Sequence, residues 1–424
     1  MFEEKNNVAK KNIIWNLVFS FVNALQTVVL LFFVKRFVNE NSAGIFGYAF
    51  SVAVLLMYIG NYGIRNYQVS DTDEKYSFAE YCGFRVISCV CMLIALVVAL
   101  IYLKLPAEKM WAVFLLSLER LAESVEDVFH GRYQQKGHLY RAGKQGTVRL
   151  IVSDVLFALI LLISKNMLWA CIGYTGISII IVAFYASVTV KDYGGFGISM
   201  KMGAMKAIGA ACFPLFCGYF FSTYLTNSPK YIIEKYSGIA PDIFSDVTQA
   251  YFNMIFMPVL MINLLSTVIF RPHIVTMAKE YNSGHYDKYK KLVNKQYLWI
   301  LVISVISLPV CFFLGIPALS LFYGSDLSVY KMDFMILMLG GIFSAYSSFL
   351  NVCIITIRKQ KYYLIATLAL IIMLIVISNF LPYTYGLDGI SLLYLFVMII
   401  QMILYYLIHT ISVLREEKKT TIRE

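Results

Sequence analysis

A run of acidic and basic side chains interrupts the apolar sequence in the stretch "LERLAESVEDVFHGRYQ", residues 118–134. On a helix of about 100° per residue, Glu119, Glu123, Glu126 and His130 fall within about 60° of one another, with Arg120 beside them. Leucine, valine and phenylalanine occupy most of the remaining circumference. The chemistry open to such a stripe is proton binding by the carboxyl groups and anion binding by the guanidinium group.

The composition of the chain sets the surroundings of this stripe. The protein has 424 residues, of which 59% are hydrophobic and 14% charged, and its mean hydropathy is +0.70. A soluble domain of this size needs far more charge to cover its surface, so we expect a polytopic membrane protein. The eight cysteines lie in or beside apolar runs and form no CxxC pair. That pattern predicts packing residues, and neither a disulfide framework nor a zinc site.

Apolar runs of about twenty residues are long enough to cross a ~30 Å hydrocarbon core, and in lipid their backbones can be satisfied only as helices. The sequence therefore predicts an all-α polytopic membrane fold of about twelve transmembrane helices. The predicted spans are approximately 13–34, 45–67, 83–103, 108–130, 147–164, 167–190, 206–227, 244–269, 297–316, 332–356, 362–381 and 387–410.

Lysine and arginine concentrate in alternate loops, which places both termini in the cytosol by the positive-inside rule. In this map Arg85 and Arg149 belong to cytosolic loops. The apolar stretch from Met110 to Leu118 covers only about 14 Å at ~1.5 Å per residue and cannot cross alone. If its helix did not span, every later loop would change sides and most cations would lie outside. The charged stripe therefore enters the membrane. The net charge of +11 indicates anionic lipid headgroups as partners, and nucleic acid is not expected.

Two interpretations of the stripe follow, because each charge that faces lipid near mid-bilayer costs about 2.5–3.5 kcal/mol. The stripe lines a water-filled cavity, or it pairs with other charges, since Glu123 and Asp127 are spaced to meet Arg120 or basic residues after Gly131. Asp154 stands alone in the fifth span, where it is free to pair with Arg149 or Arg120. Spans 1, 2, 7 and 8 also carry polar faces. Each alone is explained by a helix-end anchor, whereas one shared cavity explains them together.

Signals of enzymatic chemistry are absent from the sequence. It contains no HExxH, GxSxG or P-loop motif, and its five histidines have no metal-ligand spacing. The predicted external loops are short. We therefore expect neither an enzyme nor a bound metal or cofactor.

A stretch rich in glycine and methionine divides the chain into two sets of six spans. The predicted organisation is an N-terminal lobe at 1–190, a cytosolic connection at 191–205, a C-terminal lobe at 206–410 and a cytosolic tail at 411–424. Repeated halves of this kind are common in transporters, which bind substrate where the halves meet.

Four segments resemble a known family over the length of the chain: "KNIIWNLVFSFVNALQTVVLLFFVKRFVNENSAGIFGYAFSVAVLLMYIGNYGIRNY", "LERLAESVEDVFHGRYQQKG", "ACFPLFCGYFFSTYLTNSPKYIIEKYSG" and "FRPHIVTMAKEYNSGHYDKYKKL". They look like the O-antigen, capsule and teichoic-acid flippases of the multidrug/oligosaccharidyl-lipid/polysaccharide (MOP) exporter superfamily. The resemblance implies two six-helix lobes around an alternately open cavity. It also implies movement of an undecaprenyl-linked oligosaccharide between the leaflets of the bacterial cytoplasmic membrane.

That function gives the polar residues expected roles. Cations are expected to bind the pyrophosphate: Arg65, Lys230, Arg36, Arg120 and, at the cytosolic mouth, Arg271. Polar and aromatic groups are expected to meet the sugar hydroxyls: Asn23, Asn61, Tyr62, Gln249 and Asn253. Carboxyl groups are expected to couple transport to H⁺ or Na⁺: Glu119, Glu123 and Asp154. No nucleotide-binding motif is present to supply another source of energy.

Two alternatives remain open at this stage. A multidrug extruder of the same superfamily shares the fold, but such proteins usually carry an ion-binding acid early in the first lobe, where this chain has Asn16 and Asn23. The other alternative is a non-transport membrane component or a transferase of the cell-wall pathway. A transport assay distinguishes the three hypotheses. Movement of a lipid-linked oligosaccharide supports the flippase, export of a drug supports the extruder, and modification of the lipid supports the transferase.

Overall fold

The computed structural model describes residues 2–71, 74–192 and 197–423, and the side chains of 7–71, 74–189, 197–271 and 273–419. All of the regular elements in these ranges are helical. The chain divides into two compact units, Met1–Tyr224 and Leu225–Glu424. The connection predicted at residues 191–205 lies before this division, and its residues 193–196 are outside the described residues. Its cytosolic location stays a prediction.

The first unit contains seven helices and the beginning of an eighth that continues into the second unit. These are α1 (Phe2–Phe37), α2 (Glu40–Asn61), α3 (Ile64–Ser70), α4 (Phe78–Leu103), α5 (Ala107–Gln135), α6 (Leu139–Ser164), α7 (Met167–Asp192) and α8 (Met202–Ser237). Helix α1 packs along α6, α2 packs along α5, and α7 contacts both α5 and α6. Helix α5, which carries the charged stripe, is therefore surrounded by other helices of its own unit.

Local chemistry sets the ends of these helices. A capping box begins α4, in which the Ser77 hydroxyl accepts from the backbone N–H of Glu80 and the Glu80 carboxylate accepts from that of Ser77. Helix α2 ends at Asn61 and is capped by Tyr62, which lies in the left-handed region at φ 48°. A tight turn through Gly137, at φ 79°, joins α5 to α6. Residues equally distant from this turn then face each other, and that geometry brings Glu126 of α5 opposite Arg149 of α6.

The second unit begins within α8 and continues with seven more helices. These are α9 (Asp246–Phe270), α10 (Ile274–Asn282), α11 (Tyr286–Val310), α12 (Ile316–Tyr323), α13 (Lys331–Thr356), α14 (Gln360–Ile377) and α15 (Leu381–Arg423). Helix α13 lies at the centre, with α9 and α15 packed against it. Five residues of π-helix, Cys311–Gly315, join α11 to α12 just after Pro309, which cannot donate a backbone hydrogen bond.

The all-α fold with about twelve membrane-crossing helices is confirmed. Each predicted span coincides with one helix or with consecutive helices, to within a few residues at its ends. Within the described ranges, eleven helical segments are long and apolar enough to cross a membrane. Helix α5 is not one of these eleven, because acidic and basic residues interrupt its apolar sequence.

Candidate functional site

An ion network in the first unit is centred on Arg149 of α6, which is 0% exposed. Its Nη1 lies 2.5 Å from Glu119 Oε1, and its Nε lies 2.8 Å from Glu126 Oε2. Its Nη2 lies 3.6 Å from a carboxylate oxygen of Glu123. The Ser178 hydroxyl of α7 accepts a hydrogen bond from Arg149 and donates one to Glu119. One guanidinium group thus joins three carboxyl groups of α5 to α6 and α7.

Arg120 extends this network toward α1. Its Nε lies 2.9 Å from Glu119 Oε2, and its Nη1 pairs with the Glu123 carboxylate. Its Nη2 donates to Gln26 Oε1 of α1 at 2.9 Å and to the Tyr174 hydroxyl of α7 at 3.3 Å. The side-chain amide of Gln26 donates in turn to Tyr174 at 2.7 Å. Arg120 is thereby surrounded by acceptors from its own unit.

The stripe of α5 is consequently buried and paired over most of its length. Glu119, Arg120, Glu126 and His130 are at most 3% exposed. These contacts favour the interpretation in which the stripe pairs with other charges inside the unit. Only Glu123 and Asp127 keep a partly exposed edge, at 19% of each side chain.

A second ionic cluster lies beyond the stripe, around Asp127. Arg85 of α4 lies 2.7 Å from one carboxylate oxygen of Asp127, and Arg65 of α3 lies 3.4 Å from the other. Arg85 also donates to the Gly60 carbonyl, and Arg65 donates to Gln134 at 3.0 Å. Both Glu123 and Asp127 are spaced to meet Arg120. Glu123 does pair with Arg120, whereas Asp127 pairs with two arginines from other helices. Arg65 keeps a quarter of its side chain exposed.

The assignment of Arg85 and Arg149 to cytosolic loops is wrong. Both are buried inside helices that begin before them, α4 at Phe78 and α6 at Leu139. The reason is that the charge count assigned each cation to the nearer side of the membrane, although the predicted spans 83–103 and 147–164 already contain Arg85 and Arg149. The signal that finds Arg149 is the Gly137 turn, because residues symmetric about the turn of an antiparallel helix pair must meet.

The other residues predicted for the first unit are dispersed. Asn23 is exposed on α1, and Arg36 is exposed in its last turn. Asn61 has a buried side-chain oxygen with no hydrogen-bond partner among the described residues. The Tyr62 ring is stacked on Phe216, with ring centroids 4.8 Å apart. The structure therefore gathers Glu119, Glu123 and Arg120, but it does not bring these four residues to the same place.

The second unit buries polar groups that lack partners. Lys230 of α8 is 3% exposed, and its Nζ lies 5.7 Å from the centroid of the Phe256 ring. No carboxylate in the described part of the chain lies within ion-pair distance of it. Gln249 and Asn253 of α9 are 0% exposed, and none of their side-chain amide atoms has a hydrogen-bond partner in the part of the chain that the structure describes. Since they precede Phe256 at helical spacing, all three lie on one face of α9. Arg271 is exposed just after α9 ends.

One acidic group of the second unit escaped prediction. Asp333, in the first turn of α13, is 4% exposed, and its carboxylate accepts a hydrogen bond of 2.6 Å from Ser391 of α15. Asp388 lies beside it and interacts with the same carboxyl group. Its position at the end of a span made it indistinguishable from a helix-end anchor in sequence. Among the described residues, no group of three or more His, Cys, Asp or Glu is placed to hold a metal ion.

Comparisons with known proteins identify the fold. No family model matches the chain. It is 23% identical over 398 residues to the capsular polysaccharide biosynthesis protein CapF of Staphylococcus aureus, which covers 93% of this chain and 98% of that protein. The structure of the lipid II flippase MurJ in an inward closed conformation matches with a TM-score of 0.70 at 14% identity, over 95% of this chain and 91% of that one. The eukaryotic MATE transporter AtDTX14 matches with a TM-score of 0.63 at 14% identity, over 98% and 99% of the two chains.

The chain has the fold of the MOP exporter superfamily. The resemblance found in the sequence is confirmed at this level, and with it the multi-pass membrane architecture. The MOP fold also accounts for α5. Its burial among other helices lets it occupy a membrane-spanning position even though its sequence is too polar to face lipid.

Proposed function

We propose that this chain is a flippase that moves an undecaprenyl-pyrophosphate-linked oligosaccharide, the repeat unit of a cell-surface polysaccharide, from the inner to the outer leaflet by alternating access. It acts in the bacterial cytoplasmic membrane with both termini in the cytosol, as the loop charges indicate. The MOP fold and the similarity to a capsular polysaccharide biosynthesis protein support this proposal.

The observation that carries the proposal is the surroundings of Lys230. A buried cation is stable only with a compensating charge or a set of acceptors, and burial within a membrane sharpens this need. Lys230 has the π face of Phe256, and no carboxylate in the described residues pairs with it. An anionic ligand would supply the missing charge, and a phosphate is the anion that a lysine binds well. A site for cationic drugs would need the opposite charge.

The α9 face beside Lys230 suits the glycan. Gln249 and Asn253 together present two amide donors and two carbonyl acceptors that bind nothing else in the described chain. Sugar hydroxyls both donate and accept, so they match this set. Phe256 adds an apolar surface in the next turn. The polyprenyl chain stays in the lipid while this polar face meets the headgroup.

The other predicted contact residues differ in how well their surroundings suit a ligand. Arg65 retains exposed surface, and Arg36 and Arg271 are exposed, so all three remain candidates for meeting the pyrophosphate along its route. Asn23, Asn61 and Tyr62 remain candidates for sugar contacts. Arg120 already binds two carboxyl groups and Gln26, and we no longer propose it as an anion site. Coupling to H⁺ or Na⁺ through the carboxyl groups of the first unit completes the proposal.

The test is translocation of a radiolabelled lipid-linked oligosaccharide in proteoliposomes containing the wild-type protein, Lys230→Met or Lys235→Met. Lys235 is the matched control, because it lies on the same helix but is exposed. We expect nucleotide-independent translocation by the wild type and the control. The Lys230 variant should lose at least about tenfold, since a hydrogen bond to a charged group contributes ~1.5–3 kcal/mol.

The outcomes separate the alternatives. Equal rates for Lys230→Met and the wild type would remove Lys230 from the site. Export of cationic dyes without lipid movement would support a multidrug extruder, and chemical modification of the lipid would support a transferase. An unfolding temperature of Lys230→Met that is no lower than that of the wild type ensures that lost transport reflects lost binding.

A further inference from the structure

The buried network of the first unit contains more carboxyl groups than guanidinium groups. Its carboxyl groups belong to Glu119, Glu123, Glu126 and Asp154, and its guanidinium groups belong to Arg120 and Arg149. The imidazole of His130 lies 3.5 Å from Glu126. Even if this imidazole is protonated, the negative charges outnumber the positive ones. A buried site does not keep an uncompensated charge, so the network must bind a proton or another cation.

Asp154 is the carboxyl group that the arginines leave uncompensated. Glu119 is bound by both guanidinium groups, Glu126 by Arg149 and Glu123 by Arg120. Asp154 forms no ion pair in the described chain, and its one hydrogen bond comes from the amide of Gln26 at 3.4 Å.

The position of Asp154 makes its ionised form costly. It lies well inside the membrane-spanning helix α6 and is half-buried. Its neighbours Ile151 and Val155 are 47% and 53% exposed, so this part of the helix borders lipid. An ionised carboxylate in such a place costs about 2.5–3.5 kcal/mol on insertion scales.

We propose that Asp154 binds the proton that drives transport and that Gln26 transmits its charge state to Arg120. The proposal rests on the proposed function, because a coupling proton requires a transported substrate. The Gln26 amide lies between the two groups: its oxygen accepts from Arg120 at 2.9 Å, and its nitrogen donates to Asp154 at 3.4 Å and to Tyr174 at 2.7 Å. Protonation of Asp154 removes the charge that attracts the amide nitrogen. The bond between Gln26 of α1 and Asp154 of α6 is then weakened, while Gln26 keeps its bonds to Arg120 and Tyr174.

The charged and titratable groups around Asp154 come from each helix packed against it. Helix α5 contributes Glu119 and Arg120, α6 contributes Arg149, and α7 contributes Tyr174. Helix α1 contributes the neutral Gln26. Among these groups the two arginines are held by glutamates, so the charge that changes is that of Asp154.

The geometry favours a proton over a sodium ion. Hard cations take a shell of oxygen ligands. Gln26 presents its NH₂ group to Asp154, because its oxygen is turned toward Arg120. An NH₂ group offers no ligand to a metal ion, whereas the carboxylate oxygen of Asp154 that Gln26 does not contact can take one proton.

The test combines infrared spectroscopy with transport. In lipid nanodiscs, the wild-type protein should show a protonated-carboxyl band that a pH titration removes. Asp154→Asn should lack that band, and Asp326→Asn, at an exposed loop position, should retain it. Gln26→Leu should move the midpoint of the titration, because the amide facing the carboxylate is gone. In proteoliposomes, Asp154→Asn should translocate the lipid-linked oligosaccharide down its own gradient but lose all acceleration by a proton gradient.

Each result bears on one proposal at a time. An unchanged carboxyl band in Asp154→Asn, or full acceleration of that variant by a proton gradient, would overturn the assignment to Asp154. Acceleration by a sodium gradient instead would do the same. A wild-type protein that moves no lipid-linked oligosaccharide but shows the Asp154 band and its dependence on Gln26 would refute the proposed function and leave the proton site in place.

Discussion

The two units of the molecule bury polar side chains in opposite ways. In the first unit, Arg149 and Arg120 join the carboxyl groups of α5 to α1, α6 and α7, and each charged residue of that network makes at least one bond. In the second unit, Gln249, Asn253 and Gln296 are 0% exposed, and no atom of their side-chain amides is bonded in the described chain.

The ion network of the first unit joins several helices, whereas the unpaired amides of the second unit join none. A satisfied polar network rigidifies the helices that contribute to it. An unpaired buried amide costs about 1–3 kcal/mol and does nothing for the fold. We infer that the α5 network of the first unit maintains its structure and senses protons, whereas the unpaired amides of Gln249 and Asn253 in the second unit are kept for a ligand.

The most severe challenge to this comparison is Arg149→Met. The substitution leaves Glu119 and Glu126 buried without their cation, and removing one partner of a buried ion pair costs about 3–5 kcal/mol. We expect the unfolding temperature of the purified protein to fall sharply, as measured by intrinsic fluorescence in detergent. Lys291→Met, at an exposed position on α11, is the control and should leave it unchanged.

The same experiment has an internal check. The triple variant Arg149→Met/Glu119→Gln/Glu126→Gln removes the charges together, and we expect it to recover most of the lost stability because no charge is left unpaired. Wild-type stability of the single variant would show that the network does not hold the helices.

A smaller effect of opposite sign is expected in the second unit. Gln249→Leu and Asn253→Leu replace unpaired amides by apolar groups, and each should raise the free energy of unfolding by about 1 kcal/mol. Gln26→Leu is the matched substitution in the first unit, and it should lower stability because it breaks bonds to Arg120 and Tyr174. Thermal unfolding of the three variants measures the contrast.

Transport measurements on the same variants test whether the unpaired amides of the second unit bind a ligand. The Gln249 and Asn253 variants should lose translocation while gaining stability. If either variant were destabilised, its amide would have an internal partner, and the difference between the units would weaken.

The smallest effect concerns Asp71, in the loop before α4. Burial alone would raise the pKa of Asp71, but the backbone N–H groups of Tyr76 and Lys75 and the hydroxyl of Tyr81 donate to its carboxylate and lower that pKa overall. A carboxyl group with a lowered pKa stabilises the folded loop above its unfolded pKa and loses this contribution as the pH falls through the folded value. Asp71 is thus a carboxyl group of the first unit that is fully hydrogen-bonded but lies in a loop outside the membrane spans.

Amide hydrogen exchange of residues 74–77 tests this sign. We expect protection to decrease below about pH 4, with a free-energy change of no more than about 1 kcal/mol. Asp71→Ala should show the reduced protection at neutral pH as well. Protection that increases on acidification would contradict the assigned hydrogen bonds.

The sequence was sufficient for the membrane helices but not for their contacts. Lipid demands long apolar helices, so hydropathy and loop charges located all of the spans, including the one that contains Glu119 and Arg120. Arg149 lies in the predicted span 147–164 but was counted with a loop, because the count assigned each cation to the nearer side of the membrane. The bond between Gln26 and Asp154 joins residues of α1 and α6 that no local pattern relates. Nor does a single sequence distinguish the unpaired Asn253 from an amide with a partner, since that difference arises only on packing.

Helix α5, whose sequence alone is too polar to be recognised as a membrane span, constrains how the protein is made. During synthesis it leaves the ribosome before α6, at a time when Glu119 and Glu126 have no arginine from a neighbouring helix to bind. Each unpaired charge opposes entry into the bilayer by about 2.5–3.5 kcal/mol. Because Arg149 supplies the cation for both glutamates, we expect stable insertion of α5 to await the translation of Arg149 and the two helices to enter the membrane as a hairpin. The order in which the chain emerges is thus part of what makes this polar helix possible.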